Sequence, residues 1–166
     1  MNEPFDQRRN WFMEYCSNQE NKAIIRDGQS GVFYPCPCCG YPTLNSRGKF
    51  DICELCNWED DGQDDPYADE VWGGPNGRYS LTHARENFKQ YLIMYHPDDN
   101  NRRIGGVQNS DIEHQAKQGM VNAYDAMIRE ASPSKIEHLW KVIEENKAVL
   151  RAEIDRRIRE FEKNQD

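Results

Sequence analysis

Two paired-cysteine turns constrain what this chain can fold into more than any other feature of its sequence. The first is Cys36-Pro37-Cys38-Cys39-Gly40, and the second is Cys53-Glu54-Leu55-Cys56-Asn57, with asparagine in the place of glycine. Each is a tight turn that directs two sulfurs to one point, and the residue after it often needs a positive φ, which Gly and Asn tolerate best. Two such turns joined by a short hairpin predict a tetrahedral four-sulfur metal site. The predicted ligands are Cys36, Cys39, Cys53 and Cys56.

Zinc is the metal that this set of donors favours. Four thiolates suit Zn²⁺, and iron is the main competitor. The first six residues carry charges and lack the apolar core of a signal peptide, and no run approaches the roughly 18 apolar residues of a membrane span. We therefore expect a cytosolic (cytoplasmic) protein, in which thiols stay reduced and closely spaced cysteines act as metal ligands before they form disulfides.

Two further cysteines lie outside the predicted ligand set. Cys38 fills the variable position of the first turn, where a side chain usually points away from the metal. Three alternatives stay open for it: a buried small hydrophobe, a spare or exchanging ligand, and a reactive thiol. Cys16 falls in a helical pattern and is expected to pack rather than react. A thioredoxin-like redox site is disfavoured, because the loop-rich segment around the turns lacks the α/β pattern of those enzymes.

The cysteine turns occupy a β-prone segment between helical patterns. Residues 3–26 carry an apolar stripe at helical spacing that stops at Asp27-Gly28, and short β-prone pieces alternate with turns from residue 29 to 79. Ser80 then opens a helix. Further along, Ser110 and Glu113 form a capping box ahead of the last helical stripes.

These patterns predict an α+β fold that is mostly helical overall, with a small zinc-ribbon-like β module and flanking α-helices. The predicted division is an N-terminal helical segment at residues 1–28, a cysteine-rich zinc module at 29–95 and a helical hairpin at 96–166. Hydrophobic residues make up 37% of the 166 residues, which is a lean supply for a core of this size. A lean core favours an additional staple, and a bound metal provides one.

A longer run of motifs surrounds the two turns. It reads Phe33-Tyr34-Pro35-Cys36-Pro37-Cys38-Cys39-Gly40-Tyr41, then Asp51-Ile52-Cys53-Glu54-Leu55-Cys56, then Trp58-Glu59-Asp60-Asp61-Gly62 and Gly73-Gly74-Pro75-Asn76-Gly77. This run resembles the bacterial cysteine-rich CPCC domain family over roughly residues 33–93. The resemblance implies a small zinc-binding-type domain, includes Cys38 in the family pattern and implies no established activity.

Negative charge is concentrated on the cysteine module. The whole chain has a net charge of −8, and residues 28–79 hold nine acids against three bases, a net of −6. The loop after the second turn lacks the ligand spacing of an EF-hand. It is either a solvated loop anchored by Trp58 and Trp72 or a surface for a basic protein partner, since clustered acids steer and select cationic partners. The candidate partner-binding residues are Glu59, Asp60, Asp61, Asp64 and Asp65.

The sequence contains no catalytic constellation, and its four histidines show no metal-ligand spacing. We therefore expect a non-enzymatic, zinc-stabilised protein-interaction module with an acidic binding face and no membrane partner. A sharper version is an immunity protein or antitoxin that neutralises a basic toxin. The alternatives are a nucleic-acid-binding zinc ribbon and a thiol-based redox sensor that acts through Cys38.

The charge balance predicts that the protein does not bind generic DNA or RNA. Nucleic-acid affinity comes mainly from Lys and Arg against phosphates, and the module offers Arg47, Lys49 and Arg78 against nine acids. A mobility-shift assay at physiological salt and micromolar protein should show no shifted species. A salt-dependent shift would overturn this prediction.

Overall fold

The computed structural model of the protein describes residues 4–18, 25–26, 29–30, 33–99 and 108–165. Within these ranges the chain forms four α-helices and two antiparallel sheets of two strands each. The helices are α1 (Phe5–Ser17), α2 (Leu81–Tyr91), α3 (Asp111–Ile128) and α4 (Pro133–Lys163). The strands are β1 (Ile25–Arg26), β2 (Gln29–Ser30), β3 (Tyr34–Pro35) and β4 (Pro42–Leu44). This architecture confirms the predicted α+β fold that is mostly helical overall.

The N-terminal helix is shorter than the apolar stripe over residues 3–26 predicts. Helix α1 ends at Ser17, Asn18 is extended, and β1 pairs with β2 so that Arg26 opposes Gln29. The prediction is therefore wrong over Ile25–Arg26, while residues 19–24 lie outside the described part of the chain. A β-branched residue such as Ile25 suits a strand. The Asp27-Gly28 dipeptide, interpreted above as a helix stop, is equally typical of the link between two hairpin strands.

Serine caps begin two helices where the sequence predicts them. The Ser80 hydroxyl accepts a hydrogen bond from the His83 amide at 3.1 Å and opens α2. At the start of α3, the Ser110 hydroxyl accepts from the Glu113 amide at 3.2 Å, and the Glu113 carboxylate accepts from the Ser110 amide at 2.6 Å. The predicted capping box is confirmed, because the side chain of each residue accepts a hydrogen bond from the backbone amide of the other.

An aromatic cluster joins the cysteine module to three helices. Tyr41, directly after the first turn, stacks on Tyr124 of α3 with ring centroids 5.2 Å apart. Phe12 of α1 and Trp140 of α4 contact Tyr124 edge-on at 5.5 and 5.8 Å. The Tyr41 hydroxyl donates to the carboxylate of Asp125 at 2.8 Å, so the polar end of this buried ring is satisfied.

Helices α3 and α4 pack closely against one another. A Cβ atom added at Gly119 of α3 would lie 2.4 Å from the side-chain oxygen of Asn146 of α4, so glycine permits the close approach. Met120 and Met127 of α3 and Leu150 of α4 are buried in the same core cluster as Tyr41. None of the helices described is both long and apolar enough to cross a membrane. The division of the chain at residues 28 and 95 stays a prediction.

We expect Leu150→Ala to destabilise the protein far more than the neighbouring Val149→Ala. Leu150 is 1% exposed, whereas Val149 is 50% exposed. Truncating a buried leucine costs about 2–5 kcal/mol, while truncating an exposed side chain costs within about 0.5 kcal/mol. The free energy of unfolding from urea titration checks this. Equal losses of unfolding free energy in the two variants would show that Leu150 does not contribute to the core.

Candidate metal centre

The two cysteine turns bring four sulfurs together. The Sγ atoms of the four cysteines all lie within 4.8 Å of one another. The distance is 3.6 Å both from Cys36 Sγ to Cys56 Sγ and from Cys39 Sγ to Cys53 Sγ. A tetrahedral site with Zn–S bonds of about 2.3 Å places its sulfurs about 3.8 Å apart, close to these separations. The four predicted ligands are thus positioned so that together they could hold a metal ion.

Each turn is closed by an equivalent backbone hydrogen bond. In the first, the Gly40 amide donates to the carbonyl of Cys36 at 2.8 Å, and in the second the Asn57 amide donates to the carbonyl of Cys53 at 2.9 Å. Gly40 and Asn57 have φ angles of 78° and 67°. The left-handed conformation expected after each turn is therefore present, and it is available at low cost only to Gly, Asn and Asp.

Polar groups of the turns point at the sulfurs. The amides of Cys38 and Trp58 lie 3.4 Å from the Sγ atoms of Cys36 and Cys56, respectively. The hydroxyl of Thr43 on β4 lies 2.9 Å from Cys53 Sγ. Such donors favour the charged thiolate, which is the form that ligates a metal.

Burial opposes the ionisation of these thiols. It raises the pKa of Cys36, Cys39 and Cys56 well above the ordinary value of a thiol. Burial acts in the same direction on Cys53, but hydrogen bonds from the other three side chains hold its pKa well below that value. Four fully buried thiolates need a cation among them to balance their charge, and a metal that binds there displaces the thiol protons, which are released to solvent.

Cys38 and Cys16 are both buried and lie outside the four-sulfur group. Cys38 is 1% exposed, and Cys16 is 6% exposed with a pKa that burial raises to about 12. The packing role predicted for Cys16 agrees with its place in the core cluster. The burial of Cys38 favours its interpretation as a small hydrophobe over a reactive thiol. Its role as a spare ligand stays a prediction.

Two guanidinium groups contact the first cysteine turn from outside. Arg8 of α1, which is 8% exposed, donates from Nε to the carbonyl of Cys39 at 2.7 Å. Arg85 of α2 donates from Nε to the carbonyl of Pro37 at 3.0 Å. Neither carbonyl accepts a backbone hydrogen bond within the turn. Helices α1 and α2 are thus each hydrogen-bonded to the first turn through an arginine side chain.

Two lysines contact side chains of the second turn. Lys117 of α3 lies 3.4 Å from the side-chain oxygen of Asn57, and Lys147 of α4 lies 3.5 Å from a carboxylate oxygen of Glu54. Both lysines are 1% exposed. A buried ammonium is costly unless charge compensates it. Lys147 is compensated by Glu54 and by Glu144 at 3.7 Å, while Lys117 also donates to the side-chain oxygen of Asn109 at 2.8 Å and to the carbonyl of Leu92 at 3.2 Å.

The sequence analysis missed these four cations because each is brought to its turn by a helix distant in sequence. One local signal was present. Lys147 follows Ile143 by four residues and precedes Leu150 by three, so it interrupts the apolar stripe of α4. A lysine inside an apolar stripe indicates a buried partner charge.

The acidic loop is folded against arginines of its own chain. Asp60 is fully buried, and its carboxylate accepts from Arg47 at 2.9 Å and from the Gly48 amide at 2.7 Å. Asp64 accepts from Arg9 at 2.7 Å and from Arg47 at 2.9 Å. Partial burial opposes ionisation of Asp64, but these two arginines outweigh it and hold its pKa at about 2.

Asp65 completes this network, with Arg9 at 2.9 Å and Arg85 at 2.6 Å from its carboxylate. Three of the five candidate partner-binding residues therefore form ion pairs within the chain. Asp60 is fully buried, so its carboxylate is not displayed at the surface of the loop. Contact with a partner stays a prediction for all five residues.

Glu59 and Asp61 differ from their neighbours. Among the described residues, no cation lies within 4 Å of either carboxylate, and Asp61 accepts instead from the Gln63 amide at 3.0 Å.

The two tryptophans expected to anchor the loop differ from each other, since Trp58 is fully buried and Trp72 is 45% exposed. Only Trp58 acts as an anchor.

The family model of the cysteine-rich CPCC proteins matches residues 34–116, which is half of the chain. The chain belongs to this family. The match runs further than the resemblance drawn above from motifs to about residue 93, and it ends within α3. The chain beyond residue 93 carries no cysteine motif, so a motif-based resemblance stops too early. No curated protein and no solved structure matches the chain.

We expect Lys147→Met to destabilise the protein and Lys141→Met, on the same helix, to leave it nearly unchanged. The side chain of Lys147 is 2% exposed, whereas that of Lys141 is 68% exposed and pairs with Glu137 at the surface. Removing one partner of a buried pair costs about 3 kcal/mol, and removing a surface pair costs less than about 1 kcal/mol. Urea unfolding of both variants measures the difference. Equal stabilities would show that Lys147 does not compensate charge at the second turn.

Proposed function

We propose that Cys36, Cys39, Cys53 and Cys56 hold one Zn²⁺ ion whose role is structural. The observation that carries this proposal is the set of four fully buried sulfurs at tetrahedral spacing. Structural zinc sites are closed by four protein ligands, whereas catalytic sites keep one position for water or substrate. Zinc is favoured over iron because it takes this closed tetrahedral set without any redox chemistry.

The protein is, in this proposal, a non-enzymatic interaction module. A cleft of about 620 Å³ lies between the second cysteine turn and α4, and two of its three lining acids, Asp99 and Glu113, are bound within the fold. Asp99 accepts from the Tyr79 hydroxyl at 2.6 Å. Glu113 caps α3 and pairs with Arg157. Carboxylates held in this way are poorly placed for acid–base chemistry, and the 1% exposure of Cys38 disfavours a redox sensor.

The partner is proposed to be a basic protein. A chain with a net charge of −8 attracts cationic partners over long distances, and acids without a cation of their own are available to bind them. Glu59 and Asp61 are such acids, and Asp69 and Glu70 follow them in the same loop. An immunity protein or antitoxin that neutralises a basic toxin is one form of this function, and the charge of the module supports it.

One zinc per chain is the expected result of elemental analysis on protein purified without added metal. Cys39→Ser should lose the metal and unfold the module, because structural zinc contributes on the order of 10 kcal/mol to such folds. Cys16→Ser is the matched control, since it removes another buried thiol outside the four-sulfur group. It should keep the zinc, and so should Cys38→Ser.

Three outcomes would contradict this assignment. Metal-free protein in which all six thiols titrate freely would refute the site, and one iron per chain would refute zinc. Loss of zinc from Cys38→Ser as complete as from Cys39→Ser would show that the ligand set is wrong.

A further inference from the structure

Three residues of the loop expose large apolar side chains next to a carboxylate. Tyr67, Val71 and Trp72 are 50%, 58% and 45% exposed, and the Tyr67 and Trp72 rings lie 5.8 Å apart at an angle of 48°. The Trp72 indole donates to the carboxylate of Glu70 at 3.0 Å. We call Tyr67, Glu70, Val71 and Trp72 the aromatic patch. Large apolar side chains grouped at the surface, with a polar rim, mark interaction sites.

The loop that carries the aromatic patch is firmly held. The Gln63 side chain is fully buried and donates to the carbonyls of Tyr67 at 2.6 Å and Glu70 at 2.7 Å. From the other side, the Thr82 amide donates to the carbonyl of Ala68 at 2.9 Å. The exposed rings therefore extend from a fixed backbone, and ordering the loop costs little when a partner binds.

The charge of the aromatic patch is not neutralised within the described part of the chain. No cation described lies within 4 Å of the carboxylates of Glu70 or the adjacent Asp69, and Asp69 accepts from the Thr82 hydroxyl at 2.6 Å. Asp60, Asp64 and Asp65, by contrast, are all bound by arginines. Of the loop acids that have no cation within 4 Å among the described residues, Asp69 and Glu70 thus lie beside the exposed aromatic rings, whereas Glu59 and Asp61 lie earlier in the loop.

From this coincidence we propose that the aromatic patch binds an arginine side chain of the basic partner protein; the proposal rests on the function proposed above and names the contact. A guanidinium stacks on Tyr67 or Trp72 and donates to Glu70. Arginine suits the site better than lysine, because its planar group both stacks on aromatic faces and forms two-pronged bonds to a carboxylate. Within this chain, Arg85 lies over the Phe5 ring at 4.2 Å while it pairs with Asp65, which is the same combination of contacts.

Fluorescence anisotropy with a labelled peptide tests the contact. The probe contains four arginines separated by glycines, and two matched peptides carry lysine or neutral citrulline in their place. The full-length protein should bind the arginine peptide most tightly, the lysine peptide more weakly and the citrulline peptide not at all. Tyr67→Ala with Trp72→Ala should weaken binding of the arginine peptide about fivefold, which corresponds to about 1 kcal/mol, the value of a cation–π contact at an exposed ring.

Two variants control for folding and for general surface effects. Phe161→Ala removes an exposed aromatic ring near the end of α4 and should leave the affinity unchanged. Trp72→Phe keeps an aromatic face and should retain most of the affinity that Trp72→Ala loses. Zinc content and circular dichroism equal to those of the unaltered protein confirm that each variant is folded.

The outcomes separate this inference from the function on which it rests. If the unaltered protein binds neither basic peptide, both the basic-partner function and the patch are refuted. If it binds the arginine peptide and the double alanine variant binds equally well, the patch is refuted. In that case, loss of binding on Glu59→Lys with Asp61→Lys would show that the basic-partner function stands and acts through other acids of the loop.

Discussion

The four-sulfur group is the constraint on which the rest of the structure depends. The four described helices present cations to the turns that form it: Arg8 from α1, Arg85 from α2, Lys117 from α3, and Lys147 and Arg151 from α4. The turns also contribute their cysteines and Leu55 to the buried core cluster, so polar and apolar contacts act together. The aromatic cluster around Tyr41 adds the apolar part of the same junction. Helix positions and the shape of the cysteine turns therefore depend on one another.

The acidity of the module has a different meaning in three dimensions than in the sequence. Residues 28–79 contain three bases, and a count over that segment suggests a field of free carboxylates. Arg9 and Arg85 lie outside the segment and bind Asp64 and Asp65. The number of acids and bases in the segment is correct, but a carboxylate is neutralised by the cations that lie close to it in space, including those far away along the chain. Much of the negative charge is used to fold the loop, and the acids that remain include Glu59, Asp61 and Asp69 as well as Glu70, which is bonded to Trp72.

Features with a local cause could be predicted from the sequence. The conformations of Gly40 and Asn57 follow from the stereochemistry of single residues, and the Ser110–Glu113 box follows from the needs of one helix end. The end of α1 at Ser17 could not be predicted in this way, because an apolar stripe continues past it and the competing hairpin has its own local signal. The burial of Lys117 and Lys147 depends on elements far away in sequence, so only the completed fold reveals their partners.

A continuous set of contacts connects the sulfurs to the aromatic patch. The second turn closes when the Cys53 amide donates to the carbonyl of Trp58, and Asp60, two residues further on, is buried under Arg47. Arg47 also binds Asp64, which caps the 3-10 turn Asp65–Tyr67 at the start of the patch. These contacts link the second turn to Tyr67, so a metal at the sulfurs would influence the position of Tyr67 without touching it. In the function proposed here, zinc has a structural role and helps to fix the geometry of this exposed surface.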